Sequence, residues 1–449
     1  MKWFATMTTL LLVFLAIVPQ QARAQGTFYM EETKDGRIYV FNNMKAYDEW
    51  KKGGEMGKSI TRVGAGPNGE TIVFDSEEAI HLYNFKHNLP GEVMIKTETP
   101  PPAVQDKLPY KFSGYVFGDY FYNIGRDENV ANLPNVTLPG AEDFNGFVLR
   151  RAYFTFDDDI SSDFSARFRL EANSGTTLAN NNMTVFVKDA YLRWKNAIKT
   201  SDIFFGIQPT PAYEVSETQW RYRSLEKTIM DLYGIVPSRD FGVSLKGKLD
   251  APGKYNYWVE FGNGSGNTPE VDNFKRLYLH FLWKPNDKFL ATAYQDFRFL
   301  PDIPNPNDAA LRLENNSQTT AFFLNYGVKD KYGLGWEFFW NRQENGTKIG
   351  AVPPIEVSDR TGFGSAAWGW YDFNPKIGLV GSWYYLEPND NKAIGSDVRN
   401  LFMGSLVVRP MKNIWIMPNV FLQTFENALT GESFESAVTP RITMYWIFL

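Results

Sequence analysis

From Tyr110 to the end of the chain, short runs of aromatic and β-branched residues recur every twenty residues or fewer, and this pattern constrains the fold more than any other feature. Sixteen runs are legible. They centre on 112–123, 147–157, 164–172, 185–194, 202–208, 241–248, 255–262, 274–283, 289–297, 320–328, 333–341, 361–373, 377–386, 399–408, 414–423 and 438–449. The connections alternate in length. Those at 158–162, 196–200, 250–253, 285–287, 330–331, 375–376 and 411–413 are short, whereas those at 125–145 and 301–317 are long and polar. Short turns at one rim and long loops at the other are what a β-barrel in a membrane requires. A helical span is excluded, because no apolar run of 18 residues follows the first 24.

Alternation within the runs assigns faces. In 164–171, Phe164, Ala166, Phe168 and Leu170 point one way, and Ser165, Arg167, Arg169 and Glu171 the other. Phe241, Val243 and Leu245 stand in the same relation to Asp240, Ser244 and Lys246. Lipid outside and water inside account for this. A β-sandwich also alternates, but it does not explain the terminal series Ile442, Met444, Trp446, Phe448. In 289–297 and 362–370 both parities carry aromatic or small residues, and the faces stay unassigned.

The first 110 residues differ in character. Lys2, the apolar stretch 9–18 and Ala22-Arg23-Ala24 read as a signal peptide over 1–24. Its removal takes the basic residues from 46 to 44 against 51 acidic ones, a net charge of −7, so nucleic acid is not an expected partner. Residues 25–96 read as a small periplasmic domain. Within it, 36–42 and 69–75 align at an offset of 33 residues, with Trp50 matching Tyr83, which predicts two ββα units. Residues 97–109, with Pro100-Pro101-Pro102, form a stiff linker, and 110–449 the barrel. The expected architecture is therefore all-β: a 16-stranded antiparallel transmembrane β-barrel preceded by a small α+β N-terminal domain.

The absence of cysteine removes zinc ribbons, redox dithiols and thiol nucleophiles. The three histidines, at 81, 87 and 280, form no metal set, and Asp157-Asp158-Asp159 with Asp163 reads as an acidic turn. Gly262 to Gly266 is glycine-rich but lies between antiparallel strands, so it is no phosphate cradle. No metal, cofactor or enzymatic activity is expected.

From about Tyr110 to Leu449, and most specifically between Gly146 and Gly247, the sequence resembles the phosphate-selective porin O and P family of Gram-negative outer-membrane porins. The resemblance rests on Gly146-Phe147-Val148-Leu149-Arg150-Arg151-Ala152, Lys188-Asp189-Ala190-Tyr191-Leu192, Gly206-Ile207-Gln208, Glu214, 223–227 and Arg239-Asp240-Phe241-Gly242. It implies a 16-stranded barrel assembled as a homotrimer among outer-membrane lipid and lipopolysaccharide. A lumen of that size holds water, and the long connection 209–237, folded inward, is the expected constriction. Candidate selectivity residues on the loop are Glu214, Glu217, Arg221 and Arg223. On the wall they are Arg150, Arg167, Arg169, Glu171, Asp189, Tyr191, Arg193 and Arg239. Opposed basic wall and acidic loop would set up a transverse field, whereas mutual pairing would only stiffen the wall. With Glu214, Glu217, Glu226 and Asp231 on the loop, a general diffusion channel of mild charge preference is expected rather than a phosphate-selective one. The alternative is a structural barrel whose N-terminal domain binds a periplasmic partner or the cell wall, or plugs the pore.

Overall fold

The computed structural model describes residues 28–89, 109–127, 140–177, 182–391, 397–427 and 434–448, and it divides into two compact units. The signal peptide over 1–24 and most of the 97–109 linker lie outside the described residues.

In the first unit, strands Met30–Lys34 (β1), Arg37–Phe41 (β2), Ile60–Arg62 (β3) and Thr71–Phe74 (β4) form a sheet of order β1-β2-β4-β3, with β2 and β4 parallel. Helices Met44–Gly53 (α1) and Glu77–Lys86 (α2) follow β2 and β4. The 33-residue offset is visible in their starts. Asn43 Oδ1 accepts from Lys45 N at 2.9 Å, and Ser76 Oγ, 33 residues on, accepts from Ala79 N at 3.1 Å, so each helix has a side-chain N-cap. Within this first unit, Asp75 ties the two ββα repeats together by accepting the backbone N–H groups of Asn42 and Asn43. The matched pair Trp50 and Tyr83 are both buried.

The second unit is a closed barrel. Its strands are Tyr110–Tyr122 (β5), Asn145–Asp158 (β6), Phe164–Thr177 (β7), Met183–Ile198 (β8), Ser201–Pro209 (β9), Arg239–Lys248 (β10), Tyr255–Gly262 (β11), Arg276–Trp283 (β12) and Phe289–Arg298 (β13). After a small separate hairpin, Ile303–Asn305 (β14) and Asp308–Leu313 (β15), it continues through Ser317–Val328 (β16), Tyr332–Ile349 (β17), Glu356–Asn374 (β18), Ile377–Glu387 (β19), Asp397–Met411 (β20), Ile414–Asn427 (β21) and Ala437–Phe448 (β22). All sixteen expected runs are barrel strands, each antiparallel to its neighbours. The hairpin β14–β15 lies where an irregular loop was expected. Closure is by β22 on β5, from Arg441 opposite Phe121 to Phe448 opposite Gly114.

The outer face is apolar. Ile442, Met444 and Trp446 are about half exposed on β22, while Arg441 and Thr443, on the alternate positions, are buried inside. Phe168, Phe241 and Val243 likewise face outward, as the alternation predicts. An exposed apolar band of this kind around a barrel with no free edge is a lipid-facing surface. Along β16–β21 the inner face also carries large apolar side chains among its polar ones, with Phe323, Phe339, Trp368, Tyr384, Leu401, Met417 and Phe421 all buried. Something inside the barrel covers them.

Candidate functional site

The covering element is the connection between β9 and β10. Its ends are zipped by Thr210, whose Oγ1 donates to Pro237 O at 2.7 Å and whose N–H donates to Ser238 O at 3.2 Å. Two short helices, Glu214–Trp220 (α3) and Ile229–Leu232 (α4), bracket the tip. The loop is braced internally: Trp220 Nε1 donates to Glu226 O at 2.7 Å, and Arg223 lies 2.8 Å from Glu217 and 2.9 Å from Asp231. Self-packing of this kind makes a compact loop that moves as one piece.

Its apolar side faces β12–β21. Trp220, Tyr222, Leu225 and Ile229 have no exposed surface, and each such side chain contributes about 1.5–3 kcal/mol of burial. The Trp220 and Trp368 rings are 5.3 Å apart, and those of Tyr222 and Trp415 5.7 Å. Polar contacts fix the register: Arg409 donates to Tyr222 Oη at 2.7 Å, Tyr384 Oη to Lys227 O at 3.1 Å, and Ser216 Oγ to Glu337 at 3.0 Å. A void between residues 211–216, Ile229 and Met230 and the wall is about 10 Å3, room for one water at most. The expected inward fold of 209–237 is therefore present, and it closes the β12–β21 side of the lumen.

The opposite wall, β5–β11, carries the charges. Two β-bulges shape it. Where β5 pairs with β6 the register shifts, and the consecutive residues Arg150 and Arg151 both point inward. Where β7 pairs with β8 it shifts again, and Lys188 and Asp189 both point inward. Strict alternation admits only one residue of each pair. For that reason Arg151 and Lys188 escaped the sequence reading.

Each candidate residue lies inside the barrel, and the charged ones are paired. Arg150 is 3.4 Å from Asp119 and 3.5 Å from Glu226, and it donates to the carbonyl oxygens of Ser224 and Leu225. Glu171 sits between Arg151 at 3.0 Å and Lys188 at 3.1 Å, and Asp189 between Arg169 at 3.2 Å and Arg239. Arg167 pairs with Asp157 and Arg193 with Asp202, both near the short-turn rim. Glu214 lies 3.8 Å from Arg239. Arg221 reaches Asp330 and Asp372 and lies over the Trp370 ring. Tyr191, which carries no charge, packs its ring 5.5 Å from Phe204. Glu217 and Arg223 form an ion pair within the loop, 2.8 Å apart. Of the two arrangements expected for these charges, pairing is the one present.

Burial pushes the Glu217 carboxyl up, and Arg223 offsets only part of that rise. Burial acts on Asp231 in the same direction, but the attraction of Arg223 and Lys227 outweighs it and holds this carboxyl below the usual range. Alternation on β5 and β22 places Asp119 and Arg441 inside as well; they lie 3.5 Å apart and were readable from their strands, though not as partners.

The charged side is not sealed. The side chains of Asp157, Arg167, Arg193 and Glu214 stay 29–42% exposed inside the barrel, and a cavity of about 260 Å3 near the short-turn rim is lined by Asp157, Arg167, Tyr191, Arg193 and Phe204 among others.

No family model matches this sequence, and no curated protein is similar to it at a significant level. Solved structures are similar in fold. The outer membrane channel DcaP of Acinetobacter baumannii matches with a TM-score of 0.54 and 13% identity, over 76% of this chain and 97% of its own. OmpF of Salmonella typhi, in complex with daunomycin, matches with a TM-score of 0.51 and 12% identity over 76% and 97%. The fold is that of outer-membrane porins. An anion-selective porin from Comamonas acidovorans matches this porin barrel with a TM-score of 0.50 and 9% identity over 76% and 99%.

Proposed function

We propose that the protein is an outer-membrane porin that lets small hydrophilic solutes diffuse passively along the charged side of its lumen. The observation that carries this reading is the asymmetry of the interior. The loop between β9 and β10 packs its apolar side against the apolar half, and the opposite wall bears partly exposed Asp157, Arg167 and Arg193, with Glu214 of the loop partly exposed beside it. Because the wall charges are matched by carboxylates, the expected selectivity is mild.

Membership of the phosphate-selective porin O and P family belongs to this reading, supported by the 146–152 and 188–192 motifs, without phosphate selectivity itself. So does assembly as a homotrimer in lipid and lipopolysaccharide. The division into leader, 25–96 domain, linker and 110–449 barrel places the first domain in the periplasm, where its exposed Phe85 and Val63 suit it to a periplasmic or cell-wall partner. Co-sedimentation of the full chain with purified cell wall tests that role.

The channel reading is tested by single-channel current of the purified full-length protein in a planar bilayer. Ohmic steps support it, and groups of three support the trimer. A correctly folded, inserted and silent barrel overturns it.

A further inference from the structure

We infer that the outer face of β17–β21 holds one anionic phospholipid of the periplasmic leaflet, with an acyl chain in an apolar groove and the phosphodiester against a rim of lysines. This goes beyond the channel reading and does not depend on whether the lumen conducts.

The groove is a gap in the lipid-facing belt. Gly369 on β18 pairs with Gly381 on β19, and Gly381 with Gly404 on β20, so three neighbouring outward positions lack side chains. Leu334 on β17, opposite Gly369, and Val420 on β21, opposite Gly404, close the row at its two ends. Bulky outward pairs flank it, Trp383 with Phe402 on one side and Leu379 with Leu406 on the other. The space between them is about 950 Å3.

Nothing within the chain asks for glycine here. A strand glycine forgoes packing and costs conformational entropy, and none of the three has the positive φ that would call for one. A Cβ on Gly404 would meet nothing within 4 Å, and one on Gly381 only Met403 O at 3.8 Å. The groove is therefore open toward the membrane. Lipid tails are as apolar as leucine, so hydrophobicity alone selects no occupant, but an empty groove forfeits dispersion contacts that a flexible acyl chain restores.

The headgroup follows from what lies beneath. Short turns of such a barrel face the periplasm. Gly369 and Gly381 stand five and four residues from the ends of their strands at that rim, ~13–17 Å along tilted strands and so within the nearer leaflet. The turns there carry Lys331, Lys376 and Lys412, all exposed. Among the described residues none of the three has a carboxylate oxygen within 4.0 Å, and the neighbouring Asp330 lies 3.6 Å from Arg221. The turn at 158–163 on the same rim instead carries Asp158, Asp159 and Asp163, so the basic stretch is local to the groove. Tyr332 and Tyr371, paired across β17 and β18, line the groove on its rim side, where phenol hydroxyls meet interfacial water and phosphate. Three ammonium groups below an apolar groove match a headgroup of net negative charge and disfavour a zwitterionic one with the same tails.

The test is native mass spectrometry of the full-length protein in non-ionic detergent, titrated with palmitoyl-oleoyl phosphatidylglycerol or with phosphatidylethanolamine of the same chains. One phosphatidylglycerol should be retained at least about fivefold more tightly than phosphatidylethanolamine, the effect of a single lysine near a charged surface. Changing Lys331, Lys376 and Lys412 together to glutamine should bring that ratio to about one. Gly381→Leu with Gly404→Leu fills the groove from the membrane side and should lower retention of both lipids about tenfold, which corresponds to the loss of a well-packed chain rather than of a charge. A leucine variant that keeps phosphatidylglycerol as the wild type does, or a lipid ratio that the glutamine variant leaves unchanged, overturns the assignment. Oligomers that the leucine changes dissociate, with no lipid retained by the wild type, give the groove to a second copy of the chain and also overturn it. Should the leucine variant fail to fold, the glutamine variant, altered only in exposed turns, decides. No current is measured, so a silent barrel counts against the channel reading alone.

Discussion

Arg150 and Arg441 share an acceptor: both donate to the carbonyl oxygen of Leu225, at 2.8 and 3.0 Å. They stand on β6 and β22, either side of β5, and both also lie within 3.5 Å of Asp119 on that central strand. The tip of the luminal loop is thereby clamped to the seam where the barrel closes. Arg150→Leu or Arg441→Leu should each cost about 2 kcal/mol, since hydrogen bonds from charged donors are worth 1.5–3 and Asp119 loses a partner. The double variant should cost more than the sum, because each arginine still serves the shared acceptors when the other is lost and only the double loss leaves Asp119 and Leu225 O without either. Urea unfolding of the refolded protein in detergent measures all three.

Trp220 is the apolar counterpart of that clamp. Replacing it with alanine empties a fully buried site against Trp368 and should destabilise the loop by about 3–5 kcal/mol. The barrel's own hydrogen-bonded ladder stays whole. The expected result is a folded barrel with larger and noisier conductance, read from single-channel records.

The two loop carboxylates respond to pH with opposite sign. Asp231, held below the usual range, contributes stability that is present above about pH 4, its unfolded value, and is lost as pH falls through its lower folded value. Glu217, pushed above its usual range by burial, costs stability as pH rises from about 4 through its folded value. Open-channel noise should therefore rise only in strong acid. At neutral pH, Asp231→Asn should increase it, and Glu217→Gln should leave it unchanged or lower.

The indole of Trp368 occupies the space above Gly335 on the neighbouring strand, where an added Cβ would come within 2.2 Å of the ring. Gly335→Ala should cost about 1–3 kcal/mol through displacement of that ring and of Trp220 behind it. Gly404, with nothing within 4 Å of its virtual Cβ, is the control. Alanine there should leave the urea midpoint where it is.

How much of this was readable from the chain depends on which physical signal each feature leaves. All sixteen strands announce themselves because lipid on one side enforces a period of two. The loop announces itself by length. The bulges at Arg150-Arg151 and Lys188-Asp189 leave no such mark, since one extra residue looks like ordinary sequence until the partner strand is known, and so half of each charged pair was missed. The pairing of the charges is likewise a property of neighbouring strands rather than of any one segment. The ambiguous stretch 362–370 turns out to be informative: aromatics in both parities mean lipid outside and a packed loop inside, as Trp368 and Trp370 demonstrate. The same holds in 289–297 for Leu290 and Tyr294, buried within the barrel, while Phe297 is exposed outside it.

The strands β17–β21 have a consequence for biogenesis. Their outer face is apolar and their inner face sets large aromatics beside Glu337, Arg399 and Arg409, so before insertion and loop docking this stretch exposes more apolar surface than the charged wall does and is prone to self-association. Trp220, Tyr222 and Leu225 cover part of that surface once the loop is docked. Through Leu225 O the luminal loop is tied to Arg441 on β22 and Arg150 on β6, so docking of the loop and closure of β22 onto β5 stabilise each other.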